Sequence, residues 1–201
     1  MIKHVIFDFG QVMVRFDPAY MVGRYVSDVA DATLLETVVF DRLYWDRLDA
    51  GIITDEETLA ACRARLPERL WAVAAEIYYN WIYHIPEIEG MGEIVADLRA
   101  RGVRVILLSN ISKYFASHAA EIPSLSLFER CFFSAVCGKC KPDTSFFADV
   151  CAESGMDPAE TLFVDDNAGN LAGAAACGIT GYLFDGDALR LRAYLEALQL
   201  L

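Results

Sequence analysis

Positive charge is scarce in this sequence. Its 201 residues include 17 Lys and Arg against 29 Asp and Glu, which gives a formal net charge of −12. A surface of that sign repels nucleic acid and anionic lipid headgroups, so we expect neither as a partner. It also repels phosphate at long range, so any site for a phosphorylated ligand must be positive locally.

Long apolar runs are missing as well. No stretch of about 18 uncharged apolar residues occurs, the length that a membrane-spanning helix needs. The apolar start of the chain is interrupted by Asp8 and is too short for a signal peptide. We therefore expect no membrane association and a cytoplasmic protein, in which the six cysteines stay reduced.

Metal-binding patterns of sulfur and imidazole are also missing. The three histidines are not spaced as ligands. Cys137 and Cys140 have the spacing of a redox or zinc pair, but no second pair accompanies them, so a complete zinc site is not predicted. Two alternatives stay open for these cysteines: buried or indifferent thiols, and a thiol switch beside Lys141.

Apolar residues, by contrast, make up 55% of the chain, enough for the core of one domain or of a core domain with one insertion. Short apolar runs predict buried strands at 3–8, 103–108, 131–135, 161–164 and 179–184. Helical patterns lie at 88–101, 143–154, 168–177 and 186–199. Strands that alternate with helices predict a Rossmann-like, three-layer α/β/α core with a parallel sheet.

Residues 15–85 have a different pattern, with helical spacing, few strand-like runs and many aromatic residues. Thr54 and Glu57 are spaced as a capping box at a helix start. We therefore predict a helical insertion over 15–85 and a core domain formed by 1–14 and 86–201.

Polar side chains stand where predicted strands end, which is where parallel α/β sheets bind ligands. Asp8 ends the first strand and is followed by Gly10, so its carboxylate lies beside free backbone N–H groups. The alternative is an ordinary turn. Ser109 ends the second strand, where its hydroxyl suits a phosphate oxygen or, alternatively, caps a helix at 111–120.

Two more groups complete this set. Lys141 precedes Pro142 and is suited to neutralise a phosphate and a carboxylate, the alternative being a solvated surface lysine. Asp165 and Asp166 end a buried strand side by side, which is unfavourable without a cation such as Mg²⁺. Helix capping by Asp166 or Asn167 is the alternative.

The groups occur along the chain in the order Asp8, Ser109, Lys141, Asp165-Asp166. In order and spacing they resemble the four motifs of the haloacid dehalogenase superfamily, whose members are mostly phosphatases. The insertion after the first motif resembles the helical cap of that superfamily. Segments 8–10 and 165–167 are most similar to the branch typified by bacterial α-glucose-1-phosphate phosphatase.

The resemblance implies an enzyme whose nucleophile, Asp8, forms an aspartyl-phosphate. It further implies Mg²⁺ held by the Asp8 carboxylate, the Gly10 carbonyl and Asp166, with Asp165 acting mainly through a bound water. The expected substrate is a small phosphorylated metabolite, and a monomer is feasible at this chain length, as is a small homo-oligomer.

The same resemblance assigns the substrate-binding groups. Ser109 and the N–H groups around Gly10 would hold phosphate oxygens with Asn110 close by, and Lys141 would act in catalysis by offsetting negative charge. Gln11 would orient a water molecule. In the insertion, Trp45 is the aromatic residue expected to face the site. The remaining polar residues of its segment, Asp46, Arg47 and Asp49, are expected to be solvated, with contacts to sugar hydroxyls as the alternative.

One departure affects the function. Most phosphatases of the superfamily have a second aspartate, the general acid and base, where this chain has Gly10. Loss of such a group lowers rates by roughly 10²–10⁴-fold, which favours substrates with good leaving groups, such as sugar 1-phosphates or acyl phosphates. The alternatives are a catalytically weak protein that binds a phosphorylated ligand or a partner, and a 2-haloacid dehalogenase.

Overall fold

A five-stranded parallel sheet lies at the centre of the protein, for which a computed structural model describes residues 1–201. Its strands are β1 (His4–Phe7), β2 (Arg104–Ser109), β3 (Cys131–Phe133), β4 (Thr161–Asp165) and β5 (Thr180–Leu183). They lie in the order β3-β2-β1-β4-β5, and every neighbouring pair is parallel. The predicted α/β class with a parallel sheet is confirmed.

Eleven α-helices surround this sheet. Five of the six helices between β1 and β2 are α1 (Pro18–Gly23), α2 (Val29–Val39), α3 (Arg42–Asp49), α4 (Asp55–Arg65) and α5 (Trp71–Asn80). The others are α6 (Met91–Ala100), α7 (Lys113–His118), α8 (Ser134–Cys137), α9 (Thr144–Ser154), α10 (Ala168–Ala176) and α11 (Ala188–Ala197). Short 3-10 helices lie at Glu68–Leu70, Trp81–Tyr83, Ala119–Glu121, Pro123–Leu127 and Pro158–Glu160.

Both faces of the sheet are covered, because alternate strand residues point to opposite sides. Val5 and Phe7 of β1 belong to a cluster of 41 buried residues that includes the apolar sides of α6 and α11. Ile6, between them, belongs to a separate cluster of 12 buried residues with α9 and α10. These two clusters are the two sides of a three-layer α/β/α core, as predicted.

The helices α1–α5 enter and leave through two chain segments that pair with each other. The N–H of Arg15 donates to the carbonyl of Pro86 at 2.8 Å, and the N–H of Ile88 donates to that of Met13 at 2.9 Å. Buried residues of these helices, such as Leu35, belong to the larger apolar cluster. The paired segments lie at the predicted limits of the insertion, and the division into two domains remains a prediction.

Several local predictions need correction. The run 179–184 was expected to be buried, but β5 is an edge strand with exposed residues, since only β4 pairs with it. The helix expected at 111–120 is capped by Ser112 and begins at Lys113, so Ser109 is no cap.

Other helix starts follow the sequence signals closely. The capping box of Thr54 and Glu57 is present at the start of α4. Asp143, one residue after Pro142, caps α9. Of the two alternative caps for α10, Asn167 is the one observed, which leaves the Asp166 carboxylate available. None of the helices has the length and apolar character needed to cross a membrane.

Candidate active site

The predicted polar groups meet at the carboxyl edge of the sheet. Asp8 directly follows β1, while Ser109 ends β2 and Asp165 ends β4, and these three strands are neighbours. Asp8 and Ser109 line a cavity of about 710 Å³, as do Lys141 and Asp166. Asp165 lies behind this lining, with an oxygen within 4.8 Å of the other two carboxylates. The sheet order therefore brings together residues that are far apart in the sequence.

Lys141 is the central cation of this cavity. Its Nζ atom lies 2.8 Å from Asp8 Oδ1 and 2.8 Å from Asp165 Oδ2, and its side chain is 1% exposed. The ammonium group also lies 5.3 Å from the centre of the Phe163 ring, which favours a cation. The alternative of a solvated surface lysine is therefore wrong.

Asn110 fixes the backbone of this lysine. Its Oδ1 accepts a hydrogen bond from the N–H of Lys141 at 2.8 Å, and its Nδ2 donates to the carbonyl of Lys141 at 2.9 Å. Asn110 was expected close to the phosphate, and it does line the cavity. Its amide group, however, is engaged in positioning Lys141.

Asp165 is completely buried and surrounded by donors. Besides Lys141, the N–H of Asn167 donates to it at 2.7 Å, and Asn170 Nδ2 lies 3.1 and 3.0 Å from its two oxygens. The sequence analysis above assigns no role to Asn170. The available signal is its position in the first turn of α10, five residues after the aspartate.

Negative charge exceeds positive charge at this edge. Oxygens of Asp8, Asp165 and Asp166 lie within 4.8 Å of one another, with one ammonium group between them. Burial raises the pKa of Asp8 to about 6, against the opposing effect of the Lys141 ammonium. Burial and the nearby Asp165 likewise raise the pKa of Asp166. Since Mg²⁺ is held by a few carboxylates plus water and substrate oxygens, these residues fit a divalent cation.

The residues after Asp8 form the near wall of the cavity. Gly10 lines it, and a Cβ atom there would meet nothing within 4 Å. Gln11 has a φ of 57° and its Nε2 donates to the carbonyl of Phe16 at 2.8 Å. That bond leaves the side-chain oxygen Oε1 of Gln11 free, and the expected role of Gln11 in orienting a water molecule stays a prediction.

Three aromatic rings also line the cavity, those of Phe16, Trp45 and Trp81, which we call the aromatic wall. The ring centre of Trp45 lies 5.6 Å from that of Phe16 and 5.3 Å from that of Trp81. Its indole N–H donates to the carbonyl of Val39 at 2.5 Å. Trp45 therefore lines the cavity as expected, and it offers an apolar surface rather than a donor.

One polar residue was placed wrongly. Asp49, expected to be solvated at the end of α3, is 7% exposed and lines the cavity, and its Oδ1 atom has no hydrogen-bond partner. Burial raises its pKa to about 8. Asp46, on the same helix, is exposed and paired with Arg42.

The cysteine pair does not have the chemistry of a switch. Cys137 and Cys140 are both free. Burial raises the pKa of each thiol, whereas a reactive cysteine needs a lowered pKa to form the thiolate. Of the two alternatives, indifferent thiols fit this environment better.

Known proteins of similar sequence include phosphatases. The chain is 27% identical over 184 residues to the sesquiterpene phosphatase astK of Aspergillus oryzae, over 89% of this chain and 88% of the relative. It is 26% identical over 180 residues to a D-ribitol-5-phosphate phosphatase of Bacteroides thetaiotaomicron, covering 85% of this chain and 86% of that protein.

A solved structure shares the whole fold. It is that of a predicted HAD-like family hydrolase from Porphyromonas gingivalis, with a TM-score of 0.74 and 25% sequence identity, and the match covers 99% of this chain and 98% of that one. In sequence, residues 2–178 match the family described as haloacid dehalogenase-like hydrolases. The match spans both the helices between β1 and β2 and all of the strand-end residues. The chain therefore belongs to the haloacid dehalogenase-like hydrolases.

Proposed function

We propose that the protein is a magnesium-dependent phosphatase that hydrolyses a small phosphorylated metabolite through an aspartyl-phosphate on Asp8. The observation that carries this proposal is the buried Lys141 ammonium, which lies 2.8 Å from both Asp8 and Asp165 in a cluster of three carboxylates. The phosphatases among its relatives support the same reaction class.

The hydrogen bonds of Asp8 distinguish its two oxygens. Oδ1 accepts from the N–H of Phe9 at 2.6 Å and contacts Lys141 Nζ. Oδ2 is then the oxygen that forms the bond to phosphorus, while the bond between phosphorus and the leaving oxygen breaks. Water next attacks phosphorus, which releases inorganic phosphate and regenerates the Asp8 carboxylate.

The other residues supply position and charge. Lys141 keeps Asp8 ionised at neutral pH and offsets the charge of the phosphate. The Ser109 hydroxyl and the N–H groups after Asp8 would hold phosphate oxygens. Magnesium, held by Asp8, Asp166 and the Gly10 carbonyl with Asp165 behind a water, would neutralise further phosphate charge.

The glycine at position 10 indicates which class of leaving group the site favours. Glycine has no side chain to protonate the leaving oxygen, so a substrate with a good leaving group is favoured. Sugar 1-phosphates and acyl phosphates meet this requirement better than alkyl phosphates do, and we propose a sugar 1-phosphate as the preferred class.

Restoring an acid at this position tests that preference. A Cβ at Gly10 meets nothing within 4 Å, so Gly10→Asp is expected to fold. We expect kcat/KM for glycerol 3-phosphate to rise by roughly 10²-fold relative to glucose 1-phosphate, because general acid catalysis is regained. Gly10→Asn, which has the same shape and no acid, is the control. An unchanged ratio in a folded Gly10→Asp protein would show that a missing acid does not limit turnover.

Magnesium dependence tests the reaction itself. We expect phosphate release from a panel of sugar phosphates and acyl phosphates to stop with EDTA and to return with Mg²⁺. Binding of Mg²⁺ should raise the free energy of unfolding by about 2.7 kcal/mol when its concentration is 100 times the Kd, measured as a rise in Tm. Asp166→Asn should weaken Mg²⁺ binding by at least ~10-fold.

Asp97→Asn is the matched control, since Asp97 is paired with Arg192 at 2.8 Å on the surface. It should behave as wild type. Release of halide from 2-haloacids without metal would instead favour a dehalogenase. A ligand-dependent rise in Tm with phosphate release at background would favour a binding protein.

A further inference from the structure

Asp49 is a cavity-lining acid that the mechanism above does not use. Its residue is 7% exposed, and Oδ1 is buried without a hydrogen-bond partner. A buried polar group without a partner is unfavourable, because the hydrogen bonds that it made to water are not replaced. Asp46 on the same helix is exposed and paired with Arg42, so it has no such deficit.

Contacts from distant segments fix the backbone at Asp49. The Ser134 hydroxyl donates to the Asp49 carbonyl at 2.5 Å, and Cys140 Sγ lies 3.7 Å from the same oxygen. Cys140 directly precedes Lys141, so the end of α3 is attached to the segment that carries the catalytic lysine. The point from which the Asp49 side chain extends is therefore held relative to Lys141.

Its protonation suits a neutral partner. Burial raises the pKa of Asp49 to about 8, so at neutral pH the group is mostly a carboxylic acid, which both donates and accepts hydrogen bonds. A hydroxyl group also donates and accepts, so it can exchange hydrogen bonds with the protonated Asp49 side chain.

The rest of the cavity agrees with such a ligand. The aromatic wall offers ring surfaces, and the indole N–H of Trp45 is already bonded to Val39. A leaving group with C–H surfaces and hydroxyl groups contacts both the wall and Asp49. A pure hydrocarbon would cover Asp49 without pairing it, and sites built for hydrogen bonding discriminate strongly against ligands that lack the group.

We propose that Asp49 is a specificity-determining residue that exchanges hydrogen bonds with a hydroxyl group on the leaving group, so that phosphorylated sugars or polyols are selected over phosphorylated hydrocarbons. This proposal rests on the phosphatase function proposed above.

The test compares kcat/KM for glucose 1-phosphate and ribitol 5-phosphate with kcat/KM for pentyl phosphate and farnesyl phosphate. Ribitol 5-phosphate and pentyl phosphate are both primary alkyl phosphates, so they differ in hydroxyl groups and not in the kind of leaving oxygen. We expect the wild type to favour the hydroxylated pair. Asp49→Ala should lower the ratio of hydroxylated to other substrates by roughly 10–100-fold. Asp49→Asn should keep it within about threefold, since an amide also donates and accepts. Asp97→Asn, a charge change at the surface pair with Arg192, is the control, with the ratio unchanged.

Stability separates this role from a structural one. Because Asp49 lacks a partner for Oδ1, its replacement by alanine should leave Tm unchanged or higher, and Asp49→Leu repeats the test if the alanine variant does not fold. Equal losses on all substrates together with a lower Tm would show a structural role and overturn the proposal. So would an unchanged ratio, or a wild type that acts on pentyl or farnesyl phosphate but on neither hydroxylated compound. Absence of release from all four compounds would refute the proposed phosphatase function itself.

Discussion

Asp8→Asn is expected to reduce phosphate release by at least ~10⁴-fold, the scale seen when a catalytic nucleophile is removed. An amide oxygen is a poor nucleophile, and no other group of the cavity shares the position of Asp8 between Lys141 and the Phe9 N–H. The measurement is phosphate release with Mg²⁺ present. Asp46→Asn is the matched control, since Asp46 borders the same cavity and should give wild-type release.

Asp8→Asn is also expected to change how the stability of the metal-free protein depends on pH. The folded pKa of Asp8, about 6, lies above its ordinary value of 3.8. Protonated Asp8 therefore contributes stability to the folded state. That contribution is fully present below pH 3.8 and is lost as the pH rises through about 6. The Tm of Asp8→Asn relative to wild type should therefore be higher at pH 8 than at pH 4.

Retained activity in Asp8→Asn would contradict the assignment of the nucleophile.

Lys141→Met should lower both activity and stability. The change removes the cation from Asp8 and Asp165 and leaves buried carboxylates unpaired, which costs about 3–5 kcal/mol. For a chain of this size that is a fall in Tm of ~6–20 °C. Phosphate release should fall by at least ~10²–10³-fold, as when one stabilising donor is removed from an active site.

Lys139→Met provides the comparison, since Lys139 is two residues away and paired with Asp149 at the surface. Such pairs contribute about 0–1 kcal/mol, so its Tm and activity should stay near those of wild type. Equal effects of the two substitutions would show that Lys141 has no special role.

The strand-end residues were readable from the sequence because each follows an apolar run, and parallel strands bring such ends together. Asp49 was not readable. Its burial depends on Ser134 and Cys140, which are 85 and 91 residues away along the chain. Local pattern says nothing about such contacts, and an aspartate at the end of an amphipathic helix is usually solvated.

Contacts between residues far apart in the sequence also explain the smaller errors in the sequence predictions. Around β2, Ser109 and Ser112 are both plausible helix caps, and pairing of Ser109 with Phe133 of β3 keeps the former in the strand. For β5, an apolar run predicts a strand without saying how many neighbours it has. Asn110 was close to the expected place, but its bonds to Lys141, 31 residues away, were not predictable.

The order β3-β2-β1-β4-β5 has a consequence for synthesis on the ribosome. The strand that leads to Asp8 is made first, yet both of its sheet neighbours follow much later, β2 at Arg104–Ser109 and β4 at Thr161–Asp165. Until β4 has emerged, Asp8 lacks Asp165 and Asp166, so a nascent chain that has folded only as far as β3 holds no complete metal site. With magnesium bound as proposed above, recovery of Mg²⁺ binding during refolding would therefore report the docking of β4 beside β1.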